Sequence, residues 1–273
     1  MRTAFIGKVG NDMHGKFLIE AVENQNINSD GIILDDNVFT TLAFVNLTKD
    51  GERSFAFARK PGADTMIGYK EVDTELLQNT KVFHVGSLSL TDEPARSTTF
   101  QAVKCAKNAG AVISYDPNYR APLWNNEKTA IERMRSMLPF ADMIKLSDEE
   151  TALLTPYENP DEAANYLLDH GIKIVAVTLG KEGVLICNRK DHQKVSGFSS
   201  QVVDTTGAGD SFWGGFMSQF VKSKLNPEDC SIEELKKFAR YGNAVASLCI
   251  EKKGGILSIP EEKETFKRLQ LSV

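Results

Sequence analysis

Residues 204–212, Asp-Thr-Thr-Gly-Ala-Gly-Asp-Ser-Phe, combine glycines with an acid in a spacing that suits phosphate chemistry. Phe212, Phe216 and Phe220 recur every four residues, which predicts a mostly buried helix that starts near Gly209. A glycine-rich turn that runs into a buried helix N-terminus presents free N–H groups and the positive end of the helix dipole. The segment is therefore a candidate anion site.

The spacing excludes two common phosphate-binding motifs. GxGxxG fails because Phe212 stands three residues after Gly209, and GxxxxGK[ST] fails because no lysine follows the glycines. Asp210 stands at the rim instead. Because its charge would repel a bound phosphate, we expect an acid at this position only if it has a chemical role. Deprotonating an attacking hydroxyl is such a role. The alternative is that Asp210 caps the helix and the glycines only form a tight turn.

Two further glycines, Gly214 and Gly215, lie inside the predicted helix. Each costs about 1 kcal/mol of helix stability relative to alanine. We therefore predict that another element packs closely against both.

The elements that must position these residues alternate between short β-rich runs and amphipathic helical stretches. This pattern predicts a three-layer α/β domain with a mostly parallel central sheet flanked by helices. The predicted strands are residues 3–7, 81–85, 111–115, 143–146 and 172–179. The predicted helices are residues 14–24, 94–109, 161–170, 210–222 and 232–251.

Residues 32–58 break the alternation and contain no helical periodicity. Residues 40–46 and 53–58 predict a hairpin, joined by a turn at residues 49–52 in which Gly51 tolerates a positive φ. We expect an α/β body in residues 1–31 and 59–273 and a small β lid in residues 32–58. The hairpin is either a lid or oligomer contact, or a plain sheet edge.

Composition excludes several classes of protein. The chain has 273 residues, 41% hydrophobic and 25% charged, as in ordinary globular proteins, and its net charge of −5 argues against a nucleic-acid partner. The four cysteines form no CxxC pair, so neither a disulfide framework nor a zinc site is indicated. No run resembles a signal peptide or a membrane span, which leads us to expect no membrane association and a cytoplasmic location.

The stretch 204–212 resembles the C-terminal signature of the ribokinase-like, or PfkB-type, carbohydrate kinases, and the rest of the chain follows that family in order. The fructokinase-like branch is the most similar. The matching segments are FIGKVGND at 5–12, GERSF at 51–55, DPNYR at 116–120, LW at 123–124, TLGKEG at 178–183, NAVA at 243–246 and KGG at 253–255.

The resemblance implies a role for individual residues. It makes Asp210 the catalytic base and the amides of Gly207, Ala208 and Gly209 an anion hole for the transferred phosphoryl group. It implies ATP contacts at Lys145, Thr178, Gly180, Gly183, Asn243 and Gly254. It implies substrate contacts at Asp12, Arg59, Gly86, Arg120 and Asp210, with Arg120 near the phosphates. The alternative for Arg120 is a surface pair with a carboxylate. It implies Mg²⁺ near Asp148 and Glu149, and a monovalent cation such as K⁺ near Asp204 and Thr206.

The chain departs from the family pattern in two places. The family's NxxE motif falls on residues 145–148, where Lys145 replaces the asparagine and Asp148 the glutamate, so the acid that serves Mg²⁺ is left open among residues 148–150. The family also begins with a strand that carries a sugar-binding Asp, followed by a GG-x-x-x-N turn, and neither occurs in this sequence. We expect a late start, a truncation or a diverged member.

The resemblance implies a fructokinase that converts ATP and D-fructose into ADP and D-fructose 6-phosphate. The alternatives within the class are 2-dehydro-3-deoxygluconate kinase and ribokinase. An alternative of another class is a nucleotide-binding remnant with little activity. We also expect a homodimer through the lid, because exposed strand edges seek partners.

Overall fold

The computed structural model describes residues 1–47 and 53–270. The chain divides into two compact units. Unit 1 comprises Met1–Ile113 and Pro117–Phe140, and unit 2 comprises Ser114–Asp116 and Ala141–Val273.

The strands and helices follow in chain order. The strands are β1 Gly7–Gly10, β2 Ile32–Asp35, β3 Leu42–Leu47, β4 Arg53–Ala58, β5 Val82–Gly86, β6 Val112–Asp116, β7 Met143–Ser147, β8 Ile174–Thr178, β9 Val184–Cys187 and β10 His192–Val195. The helices are α1 Met13–Asn24, α2 Thr74–Gln78, α3 Ala95–Asn108, α4 Glu127–Arg135, α5 Thr151–Leu154, α6 Pro160–Asp169, α7 Ala208–Ser223, α8 Ile232–Cys249 and α9 Glu262–Leu269.

The sheet of unit 2 runs in the order β10-β9-β8-β7-β6. Strands β6, β7 and β8 pair in parallel, whereas β9 and β10 are antiparallel additions at one edge. The parallel strands β7 and β8 are almost wholly buried and rich in Ile, Val and Leu, as strands covered on both faces should be. The predicted parallel centre is confirmed, and the β9–β10 hairpin was missed.

Helix α7 is the buried helix that the phenylalanine spacing predicts. Trp213 and Phe216 are at most 1% exposed, and their rings stack 4.7 Å apart. The Trp213 indole Nε1 donates to Ser114 Oγ at 2.8 Å, so the helix is fixed to the middle of β6. The start of α7 therefore has a defined place beside the sheet.

Glycines set the contact between α7 and α8. A Cβ on Gly215 would lie 3.0 Å from the Cα of Gly242, and a Cβ on Gly242 would lie 2.6 Å from the carbonyl oxygen of Phe212. Gly214 is exposed, and apart from its own helix backbone no atom of residues 1–47 and 53–270 lies within 4 Å of the corresponding Cβ position. The prediction of close packing is confirmed for Gly215 and is wrong for Gly214, because the latter faces away from α8.

In unit 1, β1 pairs in parallel with β2, and the Val112 amide donates to the Lys81 carbonyl beside β5. The first strand was predicted at residues 3–7 but begins at Gly7. Strand pairing starts at Gly7, which lies opposite Ile32, the first residue of β2. Before Gly7, Ala4 forms an isolated bridge with Asn28.

Strands β3 and β4 pair antiparallel, with Leu42 opposite Ala58 and Leu47 opposite Arg53. The predicted hairpin is therefore confirmed for its two strands. The predicted turn at residues 49–52 lies outside the described residues. Strand β2, also within 32–58, pairs with β1 and not with the hairpin.

Candidate functional site

Helix α7 begins at a left-handed glycine. Gly207, with φ 77° and ψ 5°, precedes the first helical residue, Ala208, and Asp210 lies exposed in the first turn. A positive φ is strained for residues other than glycine, which explains why a glycine stands at position 207. The Ala208 amide donates to the Thr205 carbonyl at 3.2 Å, so it takes part in the turn that leads into the helix. The first turn of α7 otherwise has the polarity that attracts anions.

Lys145 and Asp116 form a buried ion pair in unit 2. The Lys145 Nζ lies 2.9 Å from Asp116 Oδ2, and the two side chains are 7% and 4% exposed. Strands β6 and β7 bring them together, because Tyr115 lies opposite Ile144 and the next residues along the two strands are Asp116 and Lys145. Lys145, an expected ATP contact, is thus held by a carboxylate on the neighbouring strand.

The Lys145 ammonium also lies at the start of α7. A Cβ on Gly209 would lie 2.8 Å from Lys145 Nζ and 3.4 Å from its Cε. Any side chain at Gly209 would therefore displace the ammonium, which is a reason for glycine at this position. An ammonium and a helix N-terminus together favour an anionic ligand.

Several carboxylates share this neighbourhood. Burial raises the pKa of Asp116 to about 6; the Lys145 ammonium opposes this rise, and the charges of Glu150 and Asp210 add to it. Asp210 thus belongs to one electrostatic cluster with Asp116, Lys145 and Glu150.

The acids expected to serve Mg²⁺ differ in exposure. Asp148 and Glu149 are exposed, whereas Glu150 is 7% exposed and accepts from the Ser147 amide at 2.8 Å. Among the described residues, no group of three or more His, Cys, Asp or Glu side chains could hold a metal ion by itself. This donor set fits Mg²⁺, which is commonly bound through one or two carboxylates together with substrate phosphates.

The expected monovalent-cation residues lie where two loops meet. The Asp204 carboxylate accepts from the Thr206 amide at 2.9 Å and from the Gly254 amide at 3.2 Å. Gly254 has a φ of 97°, and its carbonyl accepts from Ser258 Oγ at 2.7 Å. The oxygens gathered here are of the kind that hard cations prefer.

The other expected nucleotide contacts lie on unit 2. Thr178 ends β8 and donates to the Leu146 carbonyl at 3.4 Å, and Gly180 begins the turn that follows. Gly183 has a φ of 100°, and a Cβ there would lie 2.1 Å from the Val195 carbonyl oxygen. Asn243, 7% exposed, donates to that same carbonyl at 3.0 Å. Gly183 and Asn243 thus have structural contacts that account for their residue types.

Asp12, an expected sugar contact on unit 1, is the N-cap of α1. Its carboxylate accepts from the amides of His14, Gly15 and Thr40 and from the Thr40 hydroxyl at 2.8–2.9 Å. The hydrogen bonds from the Thr40 and Gly15 amides lower the pKa of Asp12 to about 2. This geometry is that of a helix cap.

Arg59, Gly86 and Arg120 also lie on unit 1. The Arg59 guanidinium is 6% exposed and binds Asp64 at 2.6 Å, together with Thr91 and the Leu88 carbonyl. Gly86 ends β5 and is half-buried, and Arg120 is exposed and donates to the Tyr119 carbonyl at 2.9 Å.

Reasoning from the sequence missed the functional candidate Asp116 and left Glu150 as one acid among three. Asp116 stands in the matching DPNYR segment, but a position in a motif does not say which residue of another strand it faces. The signal that could have found it is a lysine on the next predicted strand.

None of the helices in residues 1–47 and 53–270 combines the length and apolarity that a membrane span needs.

A model of the pfkB family carbohydrate kinases matches residues 1–262 of the chain. The chain is 41% identical over 275 residues to probable fructokinase-2 of Arabidopsis thaliana, with 100% of this chain and 82% of that protein covered. It is 39% identical over 270 residues to fructokinase-2 of Solanum lycopersicum, with 98% and 82% covered.

Solved structures are similar over the same extent. Fructokinase of Xylella fastidiosa with bound ATP matches with a TM-score of 0.90 at 30% identity, over 98% of this chain and 84% of that one. Fructokinase of Vibrio cholerae O395, bound to fructose, ADP and calcium ion, matches with a TM-score of 0.89 at 29% identity, over 98% and 86%. The predicted ribokinase-like fold class is therefore confirmed. The family model and the 41% identical relative agree, and the chain belongs to the pfkB family of carbohydrate kinases.

Proposed function

We propose that this sugar kinase is an ATP-dependent fructokinase that produces ADP and D-fructose 6-phosphate. The observation that carries the proposal is the exposed carboxylate of Asp210 in the first turn of α7, where the neighbouring Gly209 lies against the ammonium of Lys145. The chain is also about 40% identical to proteins named fructokinase. The names of the relatives favour fructose over the 2-dehydro-3-deoxygluconate and ribose alternatives.

In the proposed reaction Asp210 accepts the proton of the 6-hydroxyl of fructose while that oxygen attacks the γ-phosphorus of ATP in line. The bond between the γ-phosphorus and the oxygen that bridges it to the β-phosphate breaks, and ADP leaves with that oxygen. The proton passes from Asp210 to water before the next cycle. The amides of Gly207 and Gly209 would stabilise charge on the transferred group, and the Ala208 amide would do so once it turns away from the Thr205 carbonyl.

Nucleotide binding is proposed for Lys145, Thr178, Gly180, Gly183, Asn243 and Gly254. Substrate binding is proposed for Asp12, Arg59, Gly86 and Arg120, with Arg120 near the phosphates. Mg²⁺ would neutralise phosphate charge when bound, with ligands drawn from Asp148, Glu149 and Glu150. Among these three acids, Glu150 is favoured by its burial beside Asp116. A monovalent cation, K⁺ being the expected one, is proposed for the loop of Asp204 and Thr206.

Three proposals concern the chain as a whole. Residues 32–58 would act as a lid on a body formed by residues 1–31 and 59–273. Two copies would pair through the lid hairpins, whose exposed Phe44 suits such a contact. The cytoplasm is the proposed location, although one relative is named chloroplastic.

A panel of sugars with ATP, followed by ADP release in a coupled assay, tests the proposed function. We expect kcat/KM for fructose to exceed that for ribose and for 2-dehydro-3-deoxygluconate by at least tenfold. A clear preference for either of those sugars would refute the fructokinase assignment. Nucleotide binding without phosphorylation of any sugar would support the remnant alternative instead.

A further inference from the structure

In the buried pair of Asp116 and Lys145, the ammonium of Lys145 lies at a position where the positive end of a helix dipole should repel it. The Lys145 ammonium lies beside Gly209, in the first turn of α7, where the helix dipole is positive. Strand β7 itself is buried, so a lysine in its middle also loses hydration. A buried ammonium in this position needs a fixed opposite charge.

Asp116 supplies that charge from the neighbouring strand. Its Oδ2 lies 2.9 Å from Lys145 Nζ, and its side chain is 4% exposed. Because both residues sit on paired parallel strands, the backbone and not a flexible loop fixes the separation of the two groups. The glycine at 209 leaves the room that the ammonium occupies.

We propose that Asp116 is a positioning residue that holds the Lys145 ammonium at the first turn of α7, where the ammonium binds the terminal phosphates of the nucleotide. The proposal rests on the proposed function, in which Lys145 contacts ATP. A purely structural role is the competing explanation, in which the pair only satisfies two buried charges. The two explanations differ in what they predict for ligands with and without phosphates.

Asp116→Asn keeps the shape of the side chain and removes its charge. We expect it to weaken ADP binding about 10- to 100-fold, the usual worth of a hydrogen bond to a charged group, because the ammonium is no longer held in place. Adenosine lacks the phosphates, so its affinity should stay within about twofold of wild type. If the role of Asp116 were only structural, the substitution would weaken the binding of ADP and of adenosine alike.

A double-mutant cycle tests whether Asp116 acts through Lys145. Lys145→Met alone should weaken ADP binding as much as Asp116→Asn does. The double variant should lose little further ADP affinity, because both changes remove one and the same interaction. The double variant also serves if either single variant fails to fold, since it leaves no unpaired buried charge. Glu262→Gln, which breaks the surface pair of Glu262 with Lys222, is the matched carboxylate-to-amide control and should leave both affinities unchanged.

Isothermal titration calorimetry with ADP and with adenosine, on the full chain, measures these affinities. The positioning role is supported if the variants lose affinity for ADP but not for adenosine, and if the double variant loses little more ADP affinity than each single variant. Unchanged ADP affinity in Asp116→Asn or in the double variant overturns it. So does a loss of ADP affinity in the double variant that equals the sum of the single losses, or an equal loss of affinity for adenosine. If the selective loss is found but no sugar is phosphorylated, the fructokinase assignment fails and the inference on Asp116 stands.

Discussion

At the residue scale, three aspartates that the sequence places in different motifs have different surroundings in the structure. Asp210 is exposed in the first turn of α7, Asp116 is buried against Lys145, and Asp12 caps α1. The sequence singled out Asp210, because its motif is local and contiguous. It could not identify the partner of Lys145, because which residues face each other across two strands depends on register.

The cap formed by Asp12 leads to a prediction about stability. Asp12→Ala should lower the free energy of unfolding by about 1–2 kcal/mol at neutral pH, because it removes a helix N-cap. The pKa of Asp12 is lowered from 3.8 to about 2 in the folded chain, so its stabilisation is present above pH 4 and lost as the pH falls towards 2. Denaturant unfolding of both proteins at pH 7 and at pH 3 measures this, and the difference should be smaller at pH 3.

Asp36→Ala is the control for this change. Within the described residues, the Asp36 side chain accepts one hydrogen bond, from Asn11 at the surface. The control substitution should alter stability by less than about 0.5 kcal/mol. A gap between wild type and Asp12→Ala that widened towards pH 3 would contradict the cap. A raised KM for fructose in the same variant, with fold and kcat intact, would add a sugar contact to its role.

At the element scale, long and strongly apolar segments were predicted well and short or polar ones were not. Strands β7 and β8 and helices α7 and α8 carry continuous or periodic apolar residues, so their burial could be read from the sequence. Helix α9 was missed because charged residues dominate it, and its fold depends on packing against α8. The four-residue strands β9 and β10 are too short to show a period.

The contact between α7 and α8 predicts opposite outcomes for two glycines. Gly242→Ala should destabilise the chain by about 1–3 kcal/mol, because the new methyl group would meet the Phe212 carbonyl at 2.6 Å. Gly214→Ala should be neutral or should stabilise by up to about 1 kcal/mol, because it adds helix propensity in open space. Thermal and denaturant unfolding of the two variants measures both effects. Equal effects of the two substitutions would mean that the helices do not approach through Gly242.

At the scale of the whole molecule, the sequence predicts a kinase body with a lid at residues 32–58. The structure divides the chain into one unit of Met1–Ile113 and Pro117–Phe140 and another of Ser114–Asp116 and Ala141–Val273. The family and its fold could be predicted because the matching motifs run from residue 5 to residue 255. The residues expected to contact the sugar are spread over several loops and strands. Their roles could be predicted only by resemblance, since no local pattern marks them.

The proposed pairing through the lid predicts a dimer. Light scattering coupled to size-exclusion chromatography should give twice the chain mass of 30.2 kDa. Phe44→Asp, which charges a 57% exposed residue of β3, should shift the chain towards monomer. Phe17→Asp, on a 63% exposed residue of α1, is the control and should leave the dimer unchanged. A wild-type chain that ran as a monomer would refute the pairing.

The role of Asp210 as catalytic base is the central claim, and the turnover of Asp210→Asn with fructose and ATP tests it most directly. We expect kcat, measured by coupled ADP release, to fall by ~10²–10⁴ while KM for ATP changes little, because the variant loses only the positioned base. Asp229→Asn, at an exposed turn after α7, should keep the activity of wild type. Near-normal turnover by Asp210→Asn would contradict the account.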